Sequence, residues 1–551
     1  MKSRKLLLFI LFSHVAIGQI MSKEVVLSSF GGVANDGRND LNALREAACY
    51  CRNNPGTTLI IPPGVYDIED TLAQRIEREA IAGAYGEGVQ RRLFKPDAPY
   101  VKAFDLTGCT DITVIASGAT FNMKGWYEVV TISKARNVNI DGLSITYHRP
   151  PNTVGQVVAS NNDFFDISID NKKYCYIDTV VTGRVHFYDC TRNRLYTGSV
   201  SKKELVTPTT IRFRSHKHPA IGDYCILRHG GHYRPAVMIK ESSNVTIANV
   251  KIYSQPGMGV VGHRSSDIIL DNLQVVPLPG DVISTNTDAT HFTSCSGYLT
   301  IQNSKFRGQG DDCTNIHNYY YHIYPFDEKN VEIKVENADL HALSLDYPEL
   351  GDSMIVIDRR NMAEIGRFEV KNVTVSEDEW KVMVELDTPI NNFDPDYHRM
   401  ANITRFPKVN IVNNTVNSHL ARAFLVKVPN VTIARNSIIG SCDTAIKLGA
   451  ELSWNESGPV YNVLIEDNYI YDCGHNNSNE DYPSCVSLST EAPECPPFVN
   501  HHIEIRNNVF DTNKRIAVLL KDGEFINVSN NKVSYGNYVR IENCRNVEVI
   551  K

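Results

Sequence analysis

A short β-rich phrase closing on asparagine recurs along the chain and constrains the fold more than any other feature. It reads VTIANVKI (245–252), IILDNLQV (268–275), LTIQNSKF (299–306), VNIVNNTV (409–416), VTIARNSI (431–438), VLIEDNYI (463–470), IEIRNNVF (503–510) and FINVSNNKV (525–533). Aligning Asn249, Asn272, Asn303, Asn414, Asn436, Asn468, Asn508 and Asn531 gives steps of 23, 31, 111, 22, 32, 40 and 23 residues. The short steps cluster at 22–23, and the longer ones read as one coil carrying an inserted loop. A period of this size in Val- and Ile-rich sequence specifies a solenoid. The leucine pattern of leucine-rich repeats is missing, so an all-β, right-handed parallel β-helix fits best. Each coil then adds a strand to a parallel sheet, coils lie about 4.8 Å apart, and asparagines at one register form a ladder. A β-sandwich would not hold one residue type in register over so long a stretch.

The ends and interruptions of the repeat give a domain plan. Lys2, Arg4 and Lys5 precede the apolar stretch Leu6 to Ile17, with Ala16-Ile17-Gly18 at its close. Residues 1–18 therefore read as a secretory signal peptide, which implies a periplasmic or secreted protein. Residues 19–146 hold a cap and the first coils: Phe30-Gly31-Gly32, then Asn35-Asp36-Gly37 and Asp40, a helical stretch from Leu41 to Arg52, and LIIPPGVYDI (59–68). This opening resembles that of pectin-lyase-like β-helix proteins. Residues 147–235 and 328–405 lack the asparagine register but keep β-branched and aromatic residues, with GDYCIL (222–227) and GDSMIVI (351–357) inside them. They read as two small β-barrel-like modules, which leaves 236–327 as catalytic coils and 406–551 as C-terminal coils.

Composition narrows the partners. The chain has 56 basic and 63 acidic side chains. Loss of the signal would remove three of the former and leave a net charge of −10. Nucleic acid and anionic membranes call for the opposite sign, and no apolar run after the N-terminus is long enough to span a bilayer. A glycan fits better. The thirteen cysteines form no pair of CxxC motifs, which speaks against structural zinc. Cys442, Cys473, Cys485 and Cys495 crowd the C-terminal third. Bridges between them and buried free thiols are both open readings, as is a homodimer.

The chemistry concentrates in NTDATHF (286–292) and GQGDDCTNIH (308–317). Asp288 and Asp311 are 23 residues apart, one coil period, so their backbones should stack, with Asp312 beside them. A bend at Gly308 and Gly310 would turn Asp311 and Asp312 outward together. Three carboxyl groups packed this closely repel, so their pKa values should split into protonated and ionised members. Glycoside hydrolysis needs that division: an acid for the leaving oxygen and a base for water. Calcium ligation by the aspartates with Asn286 and Asn315 is the competing reading, which the neighbouring His291 and His317 do not favour. His263 and Arg264 precede Asp288 by 25 and 24 residues and should line the same face as sugar contacts. Asn286, Asn315, His317, Lys447 and Glu451 are further candidates for substrate binding. Trp454 reads as core packing or as a platform for a sugar face.

Asn286-Thr287-Asp288 followed by Gly310-Asp311-Asp312 resembles the aspartate motifs of polygalacturonases, glycoside hydrolase family 28. Two marks of that family are missing: no Gly-His-Gly follows Asp312, and Arg515-Ile516 is followed by Ala517. The arrangement as a whole looks more like glycoside hydrolase family 110, exo-acting α-1,3-galactosidases that remove terminal galactose from blood group B structures. The likeness is strongest at YSQPGMGVVGHR (253–264), DVISTNTDATHF (281–292) and FRGQGDDCTNIHN (306–318). It implies an inverting reaction without nicotinamide or catalytic metal, with no cofactor at all, Asp311 as general acid, and Asp288 and Asp312 holding and deprotonating water. A polygalacturonase-like hydrolase of acidic polysaccharide and a non-catalytic glycan-binding β-helix are the alternatives.

Overall fold

A computed structural model describes residues 23–551 except 87, 96, 176–183, 216–217, 336–344, 378, 476–483, 512–515 and 535. The signal-peptide segment 1–18 lies outside the described residues. The phrases of the repeat are strands of a thirteen-stranded sheet that runs from Lys23–Val26 to Arg545–Ile550. Its neighbours pair in parallel, as in Val245↔Ile268 and Ile268↔Leu299. An eleven-stranded sheet and a third parallel ladder complete the walls of a β-helix. Within each strand alternate residues point inward, and Val245, Ile247, Ile268, Leu270, Leu299 and Ile301 stack as a continuous apolar core.

The asparagines form two ladders. Asn249, Asn272, Asn303 and Asn413 share one position, each with φ between 52° and 58°. There a left-handed residue turns the chain from the first sheet into the second, a conformation asparagine tolerates. Asn272 Nδ2 donates to Asn249 Oδ1 at 2.7 Å, and Asn413 Nδ2 to Asn303 Oδ1 at 2.6 Å, on the exposed edge. One residue further on, Asn414, Asn436, Asn468, Asn508 and Asn531 are buried. Each of the first four donates through Nδ2 to the next at 2.9–3.0 Å. The single register expected from sequence is therefore corrected by one residue for its first three members. Strand pairing sets Gln302 opposite Val412, which puts Asn303 opposite Asn413.

The cap is built as its sequence reads. The helix Leu41–Asn53 buries Leu41, Leu44, Ala47, Ala48 and Cys51 over the open end of the core. A second helix, Thr71–Ile81, starts at Asp70, whose Oδ1 accepts from the amide of Leu72 at 2.8 Å. All thirteen cysteines are free thiols, and Cys442, Cys473, Cys485 and Cys495 are buried. Among the described residues no helix is long and apolar enough to cross a membrane.

The two insertions differ from each other. The first is a seven-stranded antiparallel sheet around its own aromatic core of Phe165, Phe187 and Phe213. Among the described residues it is an open sheet, ending on Arg194–Ser199 and Lys202–Thr207, in place of the barrel expected there. Its edge strand Lys202–Thr207 is exposed along its whole length and begins with Lys202, Lys203 and Glu204, charges that keep an edge from pairing. The second is a closed six-stranded barrel. Its circuit runs Thr314–Pro325, Asn330–Lys334, Lys381–Leu386, Ala363–Ser376, Ser353–Asp358, His398–Asn402 and back to the first strand. That first strand also belongs to the helix wall, where Thr290 pairs with Thr314 and Thr314 with Phe424. On this entry side one strand serves both barrel and helix.

Candidate active site

The site lies on the outer face of the third ladder, where four coils meet. Val260, Thr290, Thr314 and Phe424 stand in one register. The residues two positions earlier, Met258, Asp288, Asp312 and Arg422, therefore form a column. Three backbone bonds hold it: Gly259 N to Asp288 O, Ala289 N to Asp312 O, and Cys313 N to Arg422 O. Asp288 thus stacks on Asp312, at a period of 24, and not on Asp311 as the 23-residue spacing indicated. The extra residue sits in the bend before the strand. There Gly308 takes φ +75, and a Cβ on Gly310 would lie 2.2 Å from the carbonyl oxygen of Asn286. Only glycine lets the two backbones approach so closely.

This arrangement brings the three carboxylates together, with one oxygen from each within 4.8 Å of the others. Asp288 and Asp312 are buried and Asp311 is partly exposed. Burial, then Asp311 and Glu456, pushes the Asp288 carboxyl well above its ordinary range. Burial also raises Asp312, opposed by Arg422. Asp312 Oδ1 accepts from the Arg422 amide at 2.8 Å and lies 3.2 Å from its guanidinium Nε.

Beneath the aspartates lies a buried ionic lattice. Lys427 Nζ reaches Glu456 Oε2, Glu451 Oε2 at 3.1 Å and Asn315 Oδ1 at 3.2 Å. Lys447 bonds Glu451 Oε1 at 2.8 Å. Burial opposes ionisation of Glu451, but Lys427, Arg422 and Lys447 together hold it well below the usual carboxylate range. Behind Asp288 stands His291, with Nδ1 2.7 Å from Asp288 Oδ2 and Nε2 3.0 Å from His317 Nε2. Burial pushes His291 down to about 4, so its ring is neutral near pH 7. The cavity is lined by His232, Met258, His291, Asn315 and Trp454 together with the three aspartates, Arg422, Glu451 and Glu456. Trp454 is 44% exposed and stands at the rim. The cluster has the oxygens to meet a cation, but Arg422 and Lys427 already supply positive charge beside it.

The candidates from sequence divide accordingly. Asp288, Asp311, Asp312, Asn315 and Glu451 line the cavity. Lys447 stands behind Glu451 and His317 behind His291, and neither lines the cavity. Asn286 is fully buried under the Gly310 bend and does not line the cavity. His263 and Arg264 are corrected. The coil after them is 30 residues long, His263 pairing with Thr293, which places them five and six positions past the aspartate register. His263 bonds Thr293 Oγ1 at 2.7 Å and the Leu345 carbonyl at 3.0 Å. The Arg264 guanidinium lies 3.5 Å over the Tyr347 ring. Both dock the barrel. Sequence reasoning missed His232, Met258, Arg422, Lys427 and Glu456. Only Lys427 carried a signal, a lysine inside the apolar run FLVKV (424–428).

Residues 225–341 match the family model described as Glycosyl hydrolases family 28. The α-1,3-galactosidase A of Shewanella woodyi is 26% identical over 490 residues, covering 82% of this chain and 77% of the relative. The α-1,3-galactosidase B of Bacteroides thetaiotaomicron is 26% identical over 532 residues, covering 89% and 82%. Among solved structures, a hyperthermoactive exopolygalacturonase from Thermotoga maritima aligns over 96% of this chain and 92% of its own, with TM-score 0.45 and 14% identity.

Proposed function

We propose that this chain, a homologue of the α-1,3-galactosidases over most of its length, is an exo-acting glycoside hydrolase. It removes terminal α-1,3-linked galactose with inversion. The observation that carries the reading is the meeting of Asp288, Asp311 and Asp312 at one cavity. Asp311, the partly exposed member, protonates the leaving oxygen. Asp288 and Asp312 hold the water and take its proton. Inverting pairs ordinarily stand roughly 6.5–9.5 Å apart, with water between them. Here the oxygens lie within 4.8 Å, a span that one water bridges with two hydrogen bonds of about 2.8 Å. The water then sits above two carboxylates at once, facing the sugar. Trp454 offers its ring to an apolar sugar face.

The lining favours a neutral sugar. Five carboxyl groups, Asp288, Asp311, Asp312, Glu451 and Glu456, stand against Arg422 as the one Lys or Arg among the described lining residues, with Lys427 buried beneath. A galacturonate would bring a sixth acid into this field, so the polygalacturonase reading is the weaker one. Export through the N-terminal signal would put the enzyme in the periplasm or outside the cell, where glycans are met.

The test is incubation of the purified protein with a blood group B oligosaccharide and with a linear α-1,3-galactoside, followed by proton NMR. Galactose appearing first as the β-anomer supports inversion, and the α-anomer first would mean retention. No galactose from either substrate would remove the assignment.

A further inference from the structure

The two histidines behind Asp288 limit where its proton can sit. The carbonyl oxygen of Asn318 can only accept, so His317 Nδ1, 2.8 Å away, carries a hydrogen. A neutral His317 then offers a lone pair at Nε2, and His291 Nε2, 3.0 Å away, must donate to it. In a neutral His291 that leaves Nδ1 as an acceptor, 2.7 Å from Asp288 Oδ2, a contact that then requires a proton on the carboxyl. The same protons have two other arrangements that keep every bond: a doubly protonated His291 between ionised Asp288 and neutral His317, which burial of the ring opposes, and one more. In this last Asp288 is ionised, His291 carries its hydrogen on Nδ1, and His317 is an imidazolium with its Nε2 3.5 Å from Glu456 Oε1.

We propose that Asp288, His291 and His317 form a proton relay that empties Asp288 for its role as base, with Glu456 as counter-ion to the far end. The proposal rests on the hydrolase reading above. In the forward step the Asp288 O–H bond breaks as His291 Nδ1–H forms, and the His291 Nε2–H bond breaks as His317 Nε2–H forms. No proton is gained or lost. The freed carboxylate takes the proton of the attacking water. That proton then passes to Asp311, which has given its own to the leaving oxygen and whose nearest oxygen lies within 4.8 Å. The relay relaxes to its starting arrangement.

The surroundings suit a switch between the first and the last arrangement. Burial, Asp311 and Glu456 favour the protonated Asp288, while Arg422 and Lys427 favour the ionised form. Burial of His291 keeps its ring from holding two protons, so it hands one on as it receives one. Lys427 and Asn315 anchor Glu456 beside His317. His317 is fully buried and outside the cavity lining. It acts through His291 and is a positioning residue.

His317→Gln tests the relay. Its amide can keep both bonds, oxygen accepting from His291 and nitrogen donating to Asn318, but it takes up no proton. The expected result is a fall in kcat of about 10²-fold, within the usual range for a proton-transfer group, with KM changed little. The dependence of kcat on the D2O fraction should be curved in the parent and linear in the variant. Unchanged kcat and curvature in His317→Gln would overturn the relay and leave the hydrolase reading intact. A second measurement needs no turnover. In full-length protein with 15N-labelled histidine at neutral pH, NMR should find His291 as the Nε2–H tautomer and His317 as Nδ1–H. A resting His291 protonated on Nδ1 alone would overturn the proposal. A parent protein inactive on both galactosides would remove the hydrolase reading, while this spectrum still decides the resting proton positions.

Discussion

Asp311 is the one member of the acidic group that the cavity leaves partly open, so it is the residue whose replacement separates chemistry from folding. Asp311→Asn should lower kcat/KM by about 10³-fold or more while the unfolding free energy stays within ~0.5 kcal/mol, read from paired kinetics and urea melts. His419 makes the opposite case. It lies under the aspartate bend, with Nδ1 2.6 Å from the Leu420 carbonyl and Nε2 2.8 Å from Ser441 Oγ. Burial pushes its pKa from 6.5 to about 4. The unfolded chain therefore binds the extra proton first, and the stability held above pH 6.5 is lost as pH falls towards 4. Each pKa unit is worth ~1.4 kcal/mol, so His419→Gln should flatten this acid limb by on the order of 3 kcal/mol. Asp288 and Asp312 have raised values and act with the opposite sign as pH rises. The comparison of variant with parent isolates the histidine.

At the scale of the element, the two asparagine ladders make different demands. Asn468 is buried, donates to the Ile433 carbonyl and to Asn508, and accepts from the Asn436 amide. Asn468→Ala leaves those groups unsatisfied and should cost about 1–3 kcal/mol. Asn272→Ala in the exposed ladder should cost about 1 kcal/mol or less, and urea midpoints of the two variants would rank them. The strands themselves were legible in sequence, because alternating Val and Ile announce an inward face that a one-residue slip would destroy. The asparagine register was not fully legible, because asparagine serves both the left-handed turn and the buried slot beside it, as Asn413 and Asn414 do in succession. Asp288, Asp311 and Asp312 could be picked out because they lie within one coil of each other. Arg422 and Glu456 could not, since the barrel separates them from the aspartates by more than 100 residues, and the lysine in FLVKV could be marked as unusual but not joined to them. His263 and Arg264 were misplaced because the loop before Asp288 lengthens that one coil.

At the scale of the molecule, charge and connectivity matter most. A chain of net charge −7 gains no long-range attraction for a neutral sugar, so KM for a galactoside should change less than about two-fold between ~0.02 and ~0.5 M salt. A strong salt dependence measured in steady-state assays would point to a charged substrate instead. The barrel has a larger consequence through the strand Thr314–Pro325. Its early residues pair with Thr290–Thr293 and Phe424–Val426, and its later ones with Met400, Ala401 and Glu456–Ser457. During synthesis this strand leaves the ribosome while only its first neighbour exists. It waits for some 130 further residues before its last partner arrives. A chain released before Ser457 would carry all three aspartates yet lack the wall that seats them, so partial products should be inert and prone to capture by chaperones.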